Sequence, residues 1–390
     1  MDFGLTEEQQ AMRDLARRFA QEKLAPGYMK RDQEGRIDKA ILREMGDLGL
    51  ISCALPEEFG GMGVDCVTSG IIIEEIAAGD FNMSYIQLVS WLLGQILCKY
   101  ASPEVAQEWV PKVASGQSLI SLGLTEPRGG SDAANLIVRA ERVGDHYVLN
   151  GEKTSISFSE QSDIMIAFAR TGKVEDVSKG ISAFVVPLSL PGVSRSAFRD
   201  LGTRIVGRGS VFFDNVKIPA NHRMGDENRA FFQIMNGFDY SRALIGLQCL
   251  GAARASLEES WQYTKERQAF GTPIAQFQGV TFPLAEADTF LEAARQLCLR
   301  TLWLRDQNLP HTAEAAMCKW WPPKLSYEII HQCLLTHGHY GYTMDLPHQQ
   351  RMRDTLGLQI GDGTAQIMKL IIARERVGRV AVQYEQGKKK

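Results

Sequence analysis

Apolar positions recur every three to four residues through the first quarter of the chain. Leu5, Met12, Leu15, Ala16 and Phe19 form one such stripe, which predicts a helix with a buried face. Thr6 caps its start, and Gln9 three positions later completes a capping box. Pro26-Gly27 is expected to end it. A second helix is predicted over 38–48, a turn-rich linker over 55–63, and a helix start at Ser102-Pro103-Glu104. The period changes near Gln117. Short β-rich runs at 119–124, 136–142, 147–149, 164–169 and 181–186 alternate with turn residues such as Gly144-Asp145, Gly172 and Pro191-Gly192, which predicts an antiparallel all-β unit ending near Pro219. Asn150-Gly151 reads as a hairpin turn. From about Arg229 the helical period returns, with long segments at 229–266, 276–307, 312–335 and 364–384. The predicted order is helical, β, helical, with domains at 1–117, 118–228 and 229–390.

Composition narrows the function classes. A chain of 390 residues with 44% hydrophobic content supports two or three cores. A net charge of -3 argues against a nucleic-acid binder. No apolar run approaches membrane-spanning length, and the start lacks a signal-peptide pattern. The seven cysteines are scattered without a Cys-x-x-Cys pair, so neither zinc nor a disulfide framework is indicated; a reducing cytoplasm fits. There is no Gly-x-Gly-x-x-Gly after a strand, so no Rossmann site is predicted. His337 and His339, in a glycine loop without a carboxylate pair, read as structural rather than metal-ligating.

The chemistry-bearing segments are few. His337-Gly338-His339-Tyr340-Gly341-Tyr342-Thr343-Met344-Asp345-Leu346-Pro347 presents one carboxylate, Asp345, between apolar neighbours. Such a setting is expected to strip water from it and raise its pKa, as a general base for a weak carbon acid requires. Arg353-Asp354 and Asp362-Gly363-Thr364-Ala365-Gln366 follow. Upstream, Leu124-Thr125-Glu126-Pro127-Arg128-Gly129-Gly130-Ser131-Asp132 is a Gly-rich turn whose exposed N–H groups suit an anion or a heterocycle edge. Further segments are Asn150 to Ser157, Phe238-Asp239-Tyr240-Ser241-Arg242, and Arg267-Gln268-Ala269-Phe270-Gly271-Thr272-Pro273-Ile274 followed by Gln278.

In this order and spacing, the segments resemble the acyl-CoA dehydrogenase family over nearly the whole chain. The resemblance implies a multidomain α+β fold: an N-terminal helical domain, a central antiparallel β-barrel domain and a C-terminal four-helix bundle. It implies FAD as cofactor and an acyl-CoA thioester as substrate. It places Asp345 as the base that takes the α proton while a hydride leaves Cβ for flavin N5. Thr125, Ser131, Ser157, Thr364 and Gln366 would contact FAD, with Arg267, Phe270 and Gln278 reaching the FAD of a neighbouring subunit. Ser131, Phe238, Asp239 and Arg242 would hold the CoA chain, and Trp91 the acyl pocket. An electron-transferring flavoprotein would be the electron acceptor, and a homotetramer the assembly.

Departures from the family pattern are informative. Aspartates stand at 345 and 362 where Glu is usual, Ser155 replaces a Trp, Ser157 replaces a Thr, and Ser241 occupies the position where a minority of the family carries its base. An Asp base is similar to the cyclohexanecarboxyl-CoA dehydrogenases, which makes cyclohexane-1-carboxyl-CoA the first-choice substrate. The alternatives are a short- or branched-chain acyl-CoA dehydrogenase, a flavin oxidase of the same scaffold such as a nitroalkane oxidase, and a catalytically silent DNA-associated relative.

Overall fold

The computed structural model describes residues 4–235 and 237–382. The helical and β segments anticipated from the periodicity recur, with instructive exceptions. Helix α1 (Glu7–Phe19) starts at the predicted capping box: Thr6 accepts from the Gln9 N–H and Gln9 returns a bond to the Thr6 N–H. Pro26-Gly27 does not end the helical path. The chain passes through a π turn at Ala20–Leu24 and a 3₁₀ turn at Ala25–Gly27 into α2 (Tyr28–Glu34), because a proline in the first turn of a new segment sacrifices no bond. Helices α3 (Lys39–Asp47), α4 (Cys66–Gly79), α5 (Phe81–Tyr100) and α6 (Pro103–Ala114) complete the first layer. Asp38, Asp65, Asp80 and Ser102 cap them through side-chain oxygens.

The middle layer holds β1 (Ile120–Gly123), β2 (Arg139–Val143), β3 (His146–Ser157), β4 (Ile164–Arg170), β5 (Ile181–Pro187), β6 (Val193–Ala197), β7 (Arg208–Pro219) and β8 (Arg223–Met224). The spatial order is β6-β7-β3-β2-β4-β5-β8, with β1 alongside β4. Two expectations are corrected here. The sheet is open, with β6 and β8 at its ends rather than paired, so it is not a closed barrel. It is also mixed, since β1 runs parallel to β4. A third concerns Asn150-Gly151, which lies inside β3 at a register shift. The Asn150 side chain accepts from the Asn215 N–H across the strand pair, and Gly151 takes φ 132°. Glycine there relieves a bulge, not a hairpin. The tight turn is Gly144-Asp145, between Val143 and His146.

The last layer contains α7 (Ala230–Met235), α8 (Phe238–Glu266), the small hairpin β9 (Gln268–Ala269) and β10 (Thr272–Pro273), α9 (Gln278–Asp306), α10 (Thr312–Thr336), α11 (His348–Gly357) and α12 (Ala365–Val377). The predicted end of the final helix at 384 lies outside the described residues. Helix α10 packs against α8, α9 and α12. One hydrophobic core runs from Ala16 and Phe19 through Ile72, Ile76 and Trp91 to Leu244, Leu291 and Ile330, so the first and last layers share it. Two charge networks tie the layers. Glu74 and Glu75 on α4 pair with Arg295, Arg254 and Arg17. Buried Asp354 accepts from Tyr28 Oη (2.7 Å), Asn82 Nδ2 (3.0 Å) and the Thr203 N–H. Beside it Arg353 donates to Asp32 and to the Leu201 carbonyl. The Arg353-Asp354 pair thus joins all three layers. Among the described residues no helix is long and apolar enough to cross a membrane, and no His/Cys/Asp/Glu group is set to hold a metal.

Candidate active site

The site forms where the three layers meet. From α5, Tyr85 sends its phenol to within 3.1 Å of Ser157 Oγ at the end of β3. A second register shift in β3, between Lys153 and Ile156, takes Thr154 and Ser155 out of the regular pairing just before Ser157, as bulges beside functional sites do. Ser155 and Phe158 both take positive φ, 56° and 60°.

The Thr125 loop is locked to this segment. The Thr154 N–H donates to the Thr125 carbonyl (2.9 Å). Below it lies a fully buried ion pair, Lys153 Nζ to Glu126 Oε1 at 2.7 Å. Glu126 also accepts from the Ile137 and Val138 N–H groups, and Lys153 donates to the Leu124 carbonyl. Neither residue was singled out from the sequence, because nothing local signals that a strand lysine meets a loop glutamate. The outer part of the loop stays open. Gly129, Gly130 and Ser131 are exposed, and Gly129 at φ 150° has nothing within 4 Å of its missing Cβ.

From the other side comes the turn before α12. Thr364 caps that helix by accepting from the Ile367 N–H. Asp362, half-buried, holds φ 54° in the turn. Its charge acts on the Tyr85 phenol, on Arg242 of α8 and on Lys319 of α10. Lys319 is fully buried and clamps this turn at both ends, donating to the Leu358 carbonyl (2.5 Å) and the Gly363 carbonyl (3.1 Å). Burial pushes its amine down to about 8. Arg242 is also buried. It donates to Asp239 at 2.6 Å, and Asp239 accepts from Thr312 as well. The Arg242 Nε–H has no partner among the described residues, a donor left over for a ligand.

Asp345 is not in this company. It is exposed, with Tyr342 81% and Met344 58% exposed beside it, and among the described residues its carboxylate has no hydrogen-bond or ion-pair partner. The expected desolvated setting is therefore absent. A 3₁₀ turn at Tyr340–Tyr342 precedes the acid, and of its two apolar neighbours Met344 is exposed and Leu346 only half-buried. What anchors this loop is at its ends. The His337 ring stacks on Tyr263 (4.2 Å) and meets the His348 ring at 4.4 Å, while His337 Nδ1 bonds the Cys333 carbonyl. His348 lies 3.8 Å from Glu259, which Arg351 holds in a bidentate pair. Burial pulls the His348 imidazole down to about 4. A depressed imidazole pKa stabilises the fold above the unfolded value of 6.5 and loses that contribution as pH falls toward 4. Denaturant midpoints of wild type and His348→Gln are expected to converge over that window.

Trp91 is 0% exposed, its indole donates to the Ile51 carbonyl at 2.9 Å, and it packs in the core shared by the first and last layers. Phe238 is likewise buried, in a hydrophobic cluster that includes residues of α5, α6 and the sheet. Ser241 turns back to the Phe238 carbonyl. Arg267 and Gln278 are exposed and Phe270, at φ 53°, is 96% exposed at the β9–β10 tip. Helix α8 has 29 residues. At the α-helical rise the 25 positions from Arg242 to Arg267 span about 37 Å, so these three residues do not join the Tyr85–Ser157–Asp362 centre of their own chain.

Three layers in this order, meeting at a hydroxyl- and carboxylate-lined junction, match three family profiles end to end: the N-terminal domain of acyl-CoA dehydrogenase over residues 6–117, its middle domain over 121–216 and its C-terminal domain over 228–376. The chain belongs to the acyl-CoA dehydrogenase family. Among curated members, "Probable acyl-CoA dehydrogenase YngJ" of Bacillus subtilis is 36% identical, covering 96% of this chain and 99% of that protein. The rat mitochondrial short-chain specific acyl-CoA dehydrogenase is 35% identical over 95% and 90%. The benzylmalonyl-CoA dehydrogenase of Aromatoleum aromaticum is 32% identical over 96% and 99%. Among solved structures, butyryl-CoA dehydrogenase from Megasphaera elsdenii superposes with TM-score 0.92 at 30% identity, covering 97% and 100%. A glutaryl-CoA dehydrogenase from Mycobacterium smegmatis in complex with FADH2 gives 0.91 at 25% identity, covering 97% of each chain. This acyl-CoA dehydrogenase family member is a flavin oxidoreductase acting on CH–CH bonds, with FAD as its cofactor. The bulged β3, the open glycines of the Thr125 loop and the unpartnered Arg242 donor fit that cofactor and a thioester beside it.

Proposed function

We propose that the chain dehydrogenates a short or ring-bearing acyl-CoA between Cα and Cβ, with cyclohexane-1-carboxyl-CoA the first choice, and that Asp362 rather than Asp345 is the base. The observation that carries the base assignment is the company Asp362 keeps: Tyr85, Arg242 and clamped Lys319 lie within its field, whereas Asp345 stands exposed. Thr125, Ser131, Ser157, Thr364 and Gln366 hold FAD. Ser131, Asp239 and Arg242 serve the CoA chain. FAD, when bound there, would supply the acceptor for the hydride leaving Cβ. Asp362 removes the Cα proton, and its backbone N–H, with the dipole of α12 behind it, supports the charge that grows on the thioester oxygen.

An Asp carboxylate reaches about 1.5 Å less far than Glu, one carbon–carbon bond. Tyr85, with a ring that fills space beside Ser157, narrows the slot further. Both features favour an acyl group that is compact and bulky at Cα over a long chain. The benzylmalonyl-CoA relative points the same way, and the short-chain relatives support a butyryl-sized acyl group as the second reading. Arg267, Phe270 and Gln278, far along α8 from their own centre, fit a role at the FAD of another copy in a homotetramer. Electrons then pass to an electron-transferring flavoprotein.

Anaerobic mixing with a panel of CoA thioesters tests the reading. Cyclohexane-1-carboxyl-CoA is expected to bleach the flavin at least tenfold faster than octanoyl-CoA. Preference for octanoyl-CoA would overturn the compact-substrate reading, and rapid reaction of the reduced protein with oxygen would favour the oxidase alternative.

A further inference from the structure

Ser157 stands where the family pattern has threonine. The difference is one methyl, but it governs where the hydroxyl points. Two heavy atoms on Cβ stiffen χ1 in threonine, whereas a serine hydroxyl has three staggered wells open to it. A serine that must aim its hydroxyl at a ring needs an outside constraint. Tyr85 supplies one, with its phenol oxygen 3.1 Å from Ser157 Oγ.

The phenol is itself firmly held. Tyr85 is 6% exposed. Its ring meets Phe158 edge-on, with centroids 6.1 Å apart and an interplanar angle of 65°. The Arg208 guanidinium lies 6.0 Å from the ring centroid. Arg208 in turn is fixed by Asp200 (3.0 Å) and by Thr203 Oγ1 (2.7 Å). The titratable groups facing the phenol are Arg208 from β7 and Asp362 from the turn before α12. Burial first and Asp362 second push the phenol above its usual range, so it keeps the proton it would donate.

Resting on the assignment of Ser157 to FAD, we propose that Tyr85 is a positioning residue for the cofactor: its phenol donates to Ser157 Oγ and fixes the direction of the serine hydroxyl, doing by hydrogen bond what a threonine methyl does by sterics. In this role Tyr85 acts through Ser157.

The test uses full-length protein stripped of FAD and titrated with it, read by affinity and by the visible flavin band, with no substrate present. Tyr85→Phe keeps the ring and is expected to weaken FAD binding roughly 3- to 10-fold, the worth of one net hydrogen bond, and to shift the band. Adding Ser157→Thr to Tyr85→Phe is expected to recover most of both losses. In a Ser157→Ala background, Tyr85→Phe is expected to add nothing. Failure of threonine to rescue, or full additivity of the two losses, would overturn the proposal. Should Tyr85→Phe prove poorly folded, Ser157→Ala alone is titrated with FAD: a loss of similar size is expected, and an unchanged affinity and flavin band would overturn the proposal. Because every readout concerns oxidised FAD, inactivity toward all acyl-CoA esters would sink the dehydrogenase reading without touching this result.

Discussion

Replacing Asp362 by Asn is expected to leave the protein yellow and folded while slowing flavin bleaching by about 10² to 10⁴, the span that a positioned general base contributes. The isosteric amide keeps the turn and its φ of 54°, a conformation asparagine tolerates well, so FAD content should stay near that of wild type. Asp345→Asn serves as the matched control. The exposed Asp345 carboxylate is expected to be replaceable with bleaching rates within about threefold of wild type, a margin that separates it cleanly from a base. Rapid-mixing kinetics on both variants, with the same thioester, measure the contrast. Wild-type rates in Asp362→Asn, or collapse in Asp345→Asn, would return the assignment to the loop at 337–347.

The second large effect belongs to Lys319. Its ammonium bonds the Leu358 and Gly363 carbonyls from a fully buried position. Lys319→Met keeps most of the volume and removes both donors. The buried Leu358 carbonyl and the half-buried Gly363 carbonyl then lose a partner, at about 1–3 kcal/mol each, and the turn carrying Asp362 is released. The variant is expected to lose about 3 kcal/mol or more of stability and at least tenfold in bleaching rate. The pH dependence separates this from general damage. The folded amine titrates near 8 against 10.5 unfolded, so the unfolded chain binds more protons between those values. Wild-type stability relative to Lys319→Met should therefore rise as pH climbs from about 8 to 10.5. Chemical denaturation at several pH values reads both quantities.

The layer order was legible because it depends on period alone, and the α1 and α6 starts were legible because capping is local. Features decided by distant partners were not. Asn150-Gly151 carries the same dipeptide a hairpin would, and only its pairing with Asn215, 65 positions away, makes it a bulge. Trp91 looks identical from sequence whether it faces a pocket or the Ile51 carbonyl. Of two acidic residues, each beside a glycine-containing segment and each in place of a glutamate, the family pattern as aligned put Asp345 first. The proposal for Asp362 rests on what surrounds the two side chains. A signal for Asp362 was present all the same: it opens the turn into a capped helix, where a carboxylate and a substrate oxygen find N–H groups together.

The core shared by the first and last layers has a consequence for synthesis. Helices α1, α4 and α5 emerge first, but part of the core they share is supplied only by α8 and α10, and α10 ends at Thr336, 236 residues after α5 ends at Tyr100. At ribosomal speeds that interval is roughly 10–45 s. During it the nascent amino-terminal segment is sticky, and a premature stop anywhere before α10 leaves a fragment destined for chaperones or proteolysis rather than a working half-enzyme.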